Sequence, residues 1–262
     1  MNKVIVIKLG GSTLGNHDTA IEDIVELQRR GKSLVVVHGG GKLITEWLDK
    51  QGISSRFVQG ERVTDQATLD IVISVLAGLI NKGIVAAIND RGGQAAGISG
   101  ADGALIEGRI GNKEKGYVGE VARVNTAILK ALMESAFIPV VAPVGLNASE
   151  RPTGTSAMLN FNADIIAGEI AAATGAERLV FLTDVAGICD QSGKLLPRLS
   201  PAEAEALVAS GVASGGMIPK IKACLTALSH AATPCIIDGR QSHALLKSIE
   251  GKDEGTRIGV KE

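Results

Sequence analysis

The chain has 262 residues, enough for one large core or for two lobes on a shared sheet. A net charge of −1, with charged residues at 21%, supplies no strong field for nucleic acid or an anionic membrane, and 2% aromatics leave no stacking surface for bases. Cys189, Cys224 and Cys235 are too scattered for a disulfide framework, and neither a leader nor an uninterrupted bilayer-length apolar run stands out, so a cytoplasmic location is expected.

The first element is the run Val4-Ile5-Val6-Ile7-Lys8-Leu9, which stops at Gly10-Gly11-Ser12. A continuous Val/Ile run reads as a strand buried on both faces. The glycine pair lets bare N–H groups approach a bound anion, and Lys8 sets a cation at the same mouth. Residues 19–30 carry helical apolar spacing and end at Gly31. A second buried strand, 33–38, runs into Gly39-Gly40-Gly41 and another helix. Two strand–glycine–helix units in succession predict a parallel sheet with right-handed crossovers.

Phe57-Val58 leads to Gly60-Glu61-Arg62-Val63-Thr64-Asp65, and a long helix is predicted from about Asp65 to Asn89. Residues 95–124 break into short apolar pieces between Gly- and Lys-rich turns, predicting a small antiparallel excursion at the sheet edge. A helix over 125–135 and a strand over 138–142 restore the parallel rhythm. The polar segment 145–156 reads as a mobile surface loop, and Leu159-Asn160-Phe161-Asn162-Ala163-Asp164 opens an alanine-rich helix to Thr174. A second set then follows: strand 179–182 into Thr183-Asp184-Val185-Ala186-Gly187-Ile188, helix 201–209, a helix starting at Gly215-Gly216-Met217-Ile218-Pro219-Lys220, strand 235–237 and helix 242–249.

Common nucleotide motifs fail. Gly10 and Gly15 have the spacing of a phosphate loop, but Asn16 and His17 follow, and a dinucleotide fingerprint would need glycine at Ile44. No Gly-x-Ser-x-Gly elbow occurs, and His17, His38, His230 and His243 lack metal-ligand spacing. His38, at a strand end before three glycines, reads as a turn hydrogen-bonder in preference to a base. What remains is a phosphate-handling α/β protein without either usual loop.

The ordered set Lys8-Leu9-Gly10-Gly11-Ser12, His38-Gly39-Gly40-Gly41, Gly60 to Asp65, Asn160 to Asp164, Thr183 to Gly187 and Gly216 to Lys220 resembles the amino-acid kinase family over essentially the whole chain. Within that family it is similar to the branch that moves the γ-phosphoryl of ATP onto the side-chain carboxylate of N-acetyl-L-glutamate, a step of arginine biosynthesis. The resemblance implies a three-layer αβα open sandwich with a mainly parallel central sheet. It also implies one domain of two lobes, residues 1–175 for the amino-acid substrate and 176–262 for ATP.

The residue roles follow from the same resemblance. Lys8 and Lys220 flank the phosphoryl in flight, Asp164 holds both lysines, and Gly11 completes the catalytic set. Gly40, Gly41, Arg62 and Asn160 bind the acceptor. Gly10, Thr183, Asp184, Gly187, Ile188 and Gly216 serve ATP, whose Mg²⁺ arrives on the phosphates without a dedicated protein cage. Glu61 stands where many relatives carry leucine or another residue, and its side chain is expected to face outward. Alternatives left open are a kinase for aminoadipate or carrier-bound glutamate and, in another class, a non-catalytic ligand sensor. A homodimer through the stretch Ala77-Gly78-Leu79-Ile80 is expected. With only Met1 and Asn2 ahead of the first strand, and no arginine-pocket pattern over 242–257, activity is expected to ignore L-arginine.

Overall fold

The computed structural model describes residues 3–10, 19–58, 60–150, 154–230, 232–252 and 255–259, so Gly11 and Ser12 lie outside the described residues. Strands are β1 (Val4–Leu9), β2 (Ser33–His38), β3 (Phe57–Val58), β4 (Glu61–Arg62), β5 (Ala95–Ser99), β6 (Ile106–Ile110), β7 (Gly119–Val124), β8 (Ile138–Ala142), β9 (Val144–Asn147), β10 (Met158–Asn160), β11 (Arg178–Thr183), β12 (Arg198–Leu199), β13 (Thr233–Asp238) and β14 (Thr256–Ile258). Helices are α1 (Ala20–Arg29), α2 (Gly41–Lys50), α3 (Gln66–Asp90), α4 (Ala127–Glu134), α5 (Ala163–Thr174), α6 (Pro201–Ala209), α7 (Met217–Leu228) and α8 (Ala244–Ile249).

Eight strands form the central sheet in the order β12-β14-β13-β11-β1-β2-β8-β5, parallel except where β13 meets β14. The chain leaves β1 toward β2 on one side and β11 toward β13 on the other. The crevice beyond β1 is therefore the switch point where an open α/β sheet takes its ligand.

Alternation along the strands decides which layer each side chain enters. Val4, Val6, Val35, Val37, Leu179 and Phe181 pack under α5 and α7, joined by Ile166, Ile170 and Ile221. Ile5, Ile7, Leu9, Leu34, Val36, Val180 and Leu182 face the other way, onto α1 and the far half of α3 through Ile24, Ile84 and Ile88. By the same parity Lys8 belongs to the α5/α7 side and His38 to the α3 side, although the two lie on paired neighbouring strands.

Two sequence expectations need correction. Ala95–Ser99 is not part of an antiparallel excursion: it is the parallel edge strand of the main sheet, registered on β8. The antiparallel hairpin β6/β7 belongs to a separate four-stranded sheet with β9 and β10. Residues 145–147, expected in a loop, belong to β9, because the backbone there pairs with both β10 and β6. By length and composition α3 is apolar enough to cross a bilayer, with mean hydropathy 2.2 over its most apolar stretch. Yet it packs on the sheet and carries the fully buried Asn81, as a core helix does.

Helix α3 changes pitch. Residues Ser74–Ile80 form a π-helical stretch between two α-helical halves. The inward series Leu69, Val72 and Leu76 continues at Asn81, Ile84 and Ile88, an interval of five residues where an α-helix takes three or four.

Candidate active site

The site grows from the carboxyl end of β1. Lys8 Nζ lies 2.8 Å from Asp164 Oδ1, and Lys220 Nζ donates to Asp164 Oδ2 at 3.0 Å and to the Gly216 carbonyl at 3.2 Å. The Lys8 contact is an ion pair off the hydrogen-bonding direction, so Oδ1 is left without an aligned donor. Asp164 sits in the first turn of α5, which Asn162 caps by accepting the backbone N–H groups of Asp164 and Ile165. Lys220 reaches it because α5 and α7 nearly touch: a Cβ on Gly168 would fall 2.7 Å from the Ala223 Cα. That contact lies one turn from the ion pair on each helix. Two largely buried ammonium groups thus share one carboxylate, and the surplus positive charge faces the space above β1.

That space is a cavity of about 270 Å³ lined by Lys8, Gly39, Gly40, Gly41, Arg62, Asn160 and Asp164 among others. The Arg62 guanidinium donates to Ser55 Oγ, to Thr45 Oγ1 at 2.8 Å and to the Gly41 carbonyl at 3.0 Å, and it lies 4.7 Å from the centre of the Phe57 ring. All these partners are uncharged, and burial holds its pKa below the ordinary arginine range. Among the described residues no carboxylate lies within ion-pair reach of Arg62. Glu61, expected to face outward, instead receives the buried Lys115 ammonium, which draws it away from its neighbour Arg62. Asn160 Nδ2 donates to Thr64 Oγ1 at 3.2 Å, and Thr64 Oγ1 in turn donates to the Arg62 carbonyl, so the β3/β4 hairpin is tied to β10.

His38 is fully buried on the opposite side of the sheet from Lys8. Its Nδ1 lies 3.0 Å from the Gly39 carbonyl and its Nε2 3.3 Å from Asn81 Nδ2. Burial, aided by the Lys8 charge, pushes its pKa down to about 4. With both ring nitrogens engaged it is a turn hydrogen-bonder and has no lone pair free for base chemistry.

The other expected residues follow β11 and precede α7. Thr183, at the end of β11, is buried and donates to Asp184 Oδ1 at 3.3 Å; residues 184–186 are exposed. Gly187 and Ile188 are buried, and the Ile188 N–H donates to Thr256 Oγ1 at 2.8 Å. Gly10 N–H donates to the Leu182 carbonyl, and Gly216 is exposed at the start of α7. A second cavity, of about 200 Å³, opens beside Ala186 between Asp238, Gln241, Ala244 and Lys247, at the carboxyl ends of β11 and β13. Ala186 falls in the Thr183 to Gly187 run, but Asp238, Gln241, Ala244 and Lys247 carried no signal in the sequence. Asn81 and the Glu61–Lys115 pair were also missed; the acid–base pair spans 54 positions, beyond any local pattern.

An open parallel sheet whose switch point holds two lysines on one aspartate defines a phosphoryl-transfer protein, and the chain belongs to the amino acid kinase family, whose model matches residues 3–238. It is 48% identical to the acetylglutamate kinase of Dehalococcoides mccartyi over 98% of this chain and 94% of that one. It is 46% identical to the acetylglutamate kinase of Campylobacter curvus over 98% and 92%. A solved Streptococcus mutans UA159 structure aligns with TM-score 0.84 at 26% identity over the full length of both chains. The carbamate kinase of Giardia lamblia, at 17% identity over 99% of both chains, shares the fold with TM-score 0.71.

Proposed function

We infer that this chain catalyses transfer of the ATP γ-phosphoryl group to the γ-carboxylate of N-acetyl-L-glutamate, giving N-acetyl-L-glutamyl 5-phosphate in arginine biosynthesis. The observation that carries this reading is the charge around one cavity: Lys8 and Arg62 line it with Asp164 and Glu61, but Asp164 is shared between Lys8 and Lys220 and Glu61 is paired with Lys115, which leaves positive charge in excess. Such a site takes two anions at once, a phosphate and a dicarboxylic acceptor.

A glutamate side chain has a pKa of about 4.3, so the nucleophile is already ionised at neutral pH and needs no base. The barrier lies in bringing anions together while charge spreads over the moving phosphoryl group. Fixed cations aimed at that charge are the remedy. Lys8 and Lys220, held by Asp164, flank the transferring group, with Lys220 toward the leaving side. Gly11 offers a backbone N–H group to it, whereas the N–H of Gly10, expected in the same role, is held by the Leu182 carbonyl. Arg62 takes the α-carboxylate of the acceptor, Gly40 and Gly41 present N–H groups to it, and Asn160 meets the acetamido end.

Thr183, Asp184, Gly187, Ile188 and Gly216 border the nucleotide, and the cavity beside Ala186 accommodates its nucleoside end. Both oxygens of Asp164 face ammonium groups. Mg²⁺ therefore fits as an ion carried on the ATP phosphates, where it neutralises them, without a ligand from Asp164.

The sheet supports a division into residues 1–175 and 176–262, since the strands on the β2 side of β1 come from residues 33–142 and those on the β11 side from 178–258. The apolar stretch of α3, only a third buried and with Leu79 exposed, supports a homodimer through that helix, in a cytoplasmic enzyme. A coupled ADP-release assay offering N-acetyl-L-glutamate, glutamate, aspartate and aminoadipate in turn tests the reading. Turnover confined to N-acetyl-L-glutamate is expected; preference for another acceptor, or none for any, overturns it.

A further inference from the structure

The buried pair His38 and Asn81 lies outside the catalytic machinery, yet it abuts the glycine loop that faces the acceptor. The identity of each polar atom is fixed by its neighbours. Asn81 Nδ2 lies 2.8 Å from the Val140 carbonyl and 3.2 Å from the Ile98 carbonyl, both of which demand a donor. Its Oδ1 accepts from Lys82 Nζ at 3.1 Å, which demands an acceptor. The amide nitrogen shares two N–H bonds among the Val140 carbonyl, the Ile98 carbonyl and His38 Nε2 and has no lone pair to accept with, so His38 Nε2 must be the bare nitrogen. The ring proton then sits on Nδ1 and is donated to the Gly39 carbonyl.

Chemistry carries the constraint one bond further. In a trans peptide the C=O and the following N–H point in opposite directions. Drawing the Gly39 carbonyl down to His38 aims the Gly40 N–H away from the imidazole, on the cavity side. The rest of the loop is already spoken for: Gly39 N–H donates to the Leu9 carbonyl, the Gly40 carbonyl accepts from Ile44, and the Gly41 carbonyl accepts from Arg62 and Thr45. Among the described residues, the N–H of the buried Gly40 has no acceptor, although buried amides are nearly always paired; that of Gly41 is also without one but is exposed. From below, the π-helical stretch wedges the loop in place: a Cβ on Gly40 would fall 2.3 Å from Ile80 Cδ1 and 2.7 Å from Leu76 Cδ2. The same stretch turns Asn81 inward.

We propose that His38 and Asn81 are positioning residues: Asn81 selects the imidazole tautomer, and the imidazole orients the Gly39–Gly40 peptide so that the Gly40 N–H is preset to bind the acceptor anion. The role at the acceptor rests on the activity inferred above; the tautomer and peptide orientation do not.

The experiment has two arms. Nitrogen-15 NMR of histidine-labelled protein at pH 7 reads the tautomer directly, with a bare Nε2 expected in the parent and a mixture in Asn81→Leu. Kinetics compares His38→Asn, which keeps a donor at the Nδ1 position, with His38→Leu, which keeps the bulk and loses the donor. His38→Asn is expected to hold KM for N-acetyl-L-glutamate within about threefold of the parent, and His38→Leu to raise it about tenfold or more, with KM for ATP unmoved in both. A purely structural role would favour the leucine. A parent ring protonated on Nε2, or a His38→Leu variant no worse than His38→Asn, overturns the proposal. A parent that phosphorylates no N-acetyl-L-glutamate overturns the activity reading instead, and the tautomer still decides the peptide orientation.

Discussion

The two halves of the site are built differently. On the proposed acceptor side, side chains brace the loop from several elements. His38 and Asn81 hold the glycine loop, Thr45 and Ser55 hold Arg62, and Glu61 with Lys115 pins the hairpin that carries it. On the proposed nucleotide side, residues 184–186 and 214–216 stand in solvent, with Thr183 holding Asp184, Lys220 the Gly216 carbonyl and Thr256 Oγ1 the Ile188 N–H. The braced half can present its donors without rearranging, so the energy of acceptor binding is not spent on ordering the loop. The open half leaves contacts for the nucleotide itself to complete, as suits a product that must leave each cycle.

The sharpest way to break this contrast is to remove the charge where the halves meet. Lys8→Ala is expected to lower kcat about 10²–10³-fold while both KM values change little, since its main contribution is to transition-state charge. Steady-state kinetics with each substrate varied checks it, and near-normal turnover would remove the mechanism.

The bracing on the acceptor side should also titrate. His38 has a folded pKa of about 4 against an ordinary value of 6.5, so the unfolded chain takes up the proton first as pH falls. Its contribution is complete above pH 6.5 and is lost as pH drops from 6.5 to 4, amounting to about 3 kcal/mol. Urea unfolding at several pH values should show that slope in the parent, and a shallower one by this amount in His38→Leu. Equal slopes would mean the imidazole is not held neutral.

Arg62→Lys keeps the charge and loses the planar fork, so KM for N-acetyl-L-glutamate should rise roughly tenfold or more, about 1.4 kcal/mol, with KM for ATP nearly fixed. Equal rises in both constants would place Arg62 in lobe closure instead. The smallest effect belongs to the open half: Thr256→Val removes one buried hydroxyl that accepts from Ile188 and donates to the Leu196 carbonyl. KM for ATP should then rise a few-fold, in keeping with a loss of about 1 kcal/mol, with the acceptor unaffected. A shift in acceptor KM would show that the halves are not separately built.

Much of this was legible in the sequence where chemistry and periodicity coincide. The Val/Ile runs of β1 and β2 and their glycine stops marked both the sheet and the cavity mouth. The meeting of Lys8, Asp164 and Lys220 came from motif order alone, since no spacing rule links residues so far apart. β5 escaped because Ala95-Ala96-Gly97-Ile98-Ser99 has one β-branched aliphatic residue, and its strand character comes from pairing with β8. β14 has only three residues and takes its form from β13 and β12. Asn81 was hidden for another reason: in an α-helical count from Leu76 it falls off the buried stripe, and the π-helical stretch alone brings it inward.

That change of pitch makes α3 a two-part lock cut to one key length. Inserting a single alanine among Ala77, Gly78 and Leu79 would add one more α-helical step to the element. It would also swing the half that follows by about 100° relative to the half before it. Asn81 would leave the carbonyls of β5 and β8, and Ile84 and Ile88 would leave the sheet. Composition would hardly change, and every residue type would remain suited to a helix. The information lost would be a phase, carried by the length of the segment and by none of its side chains.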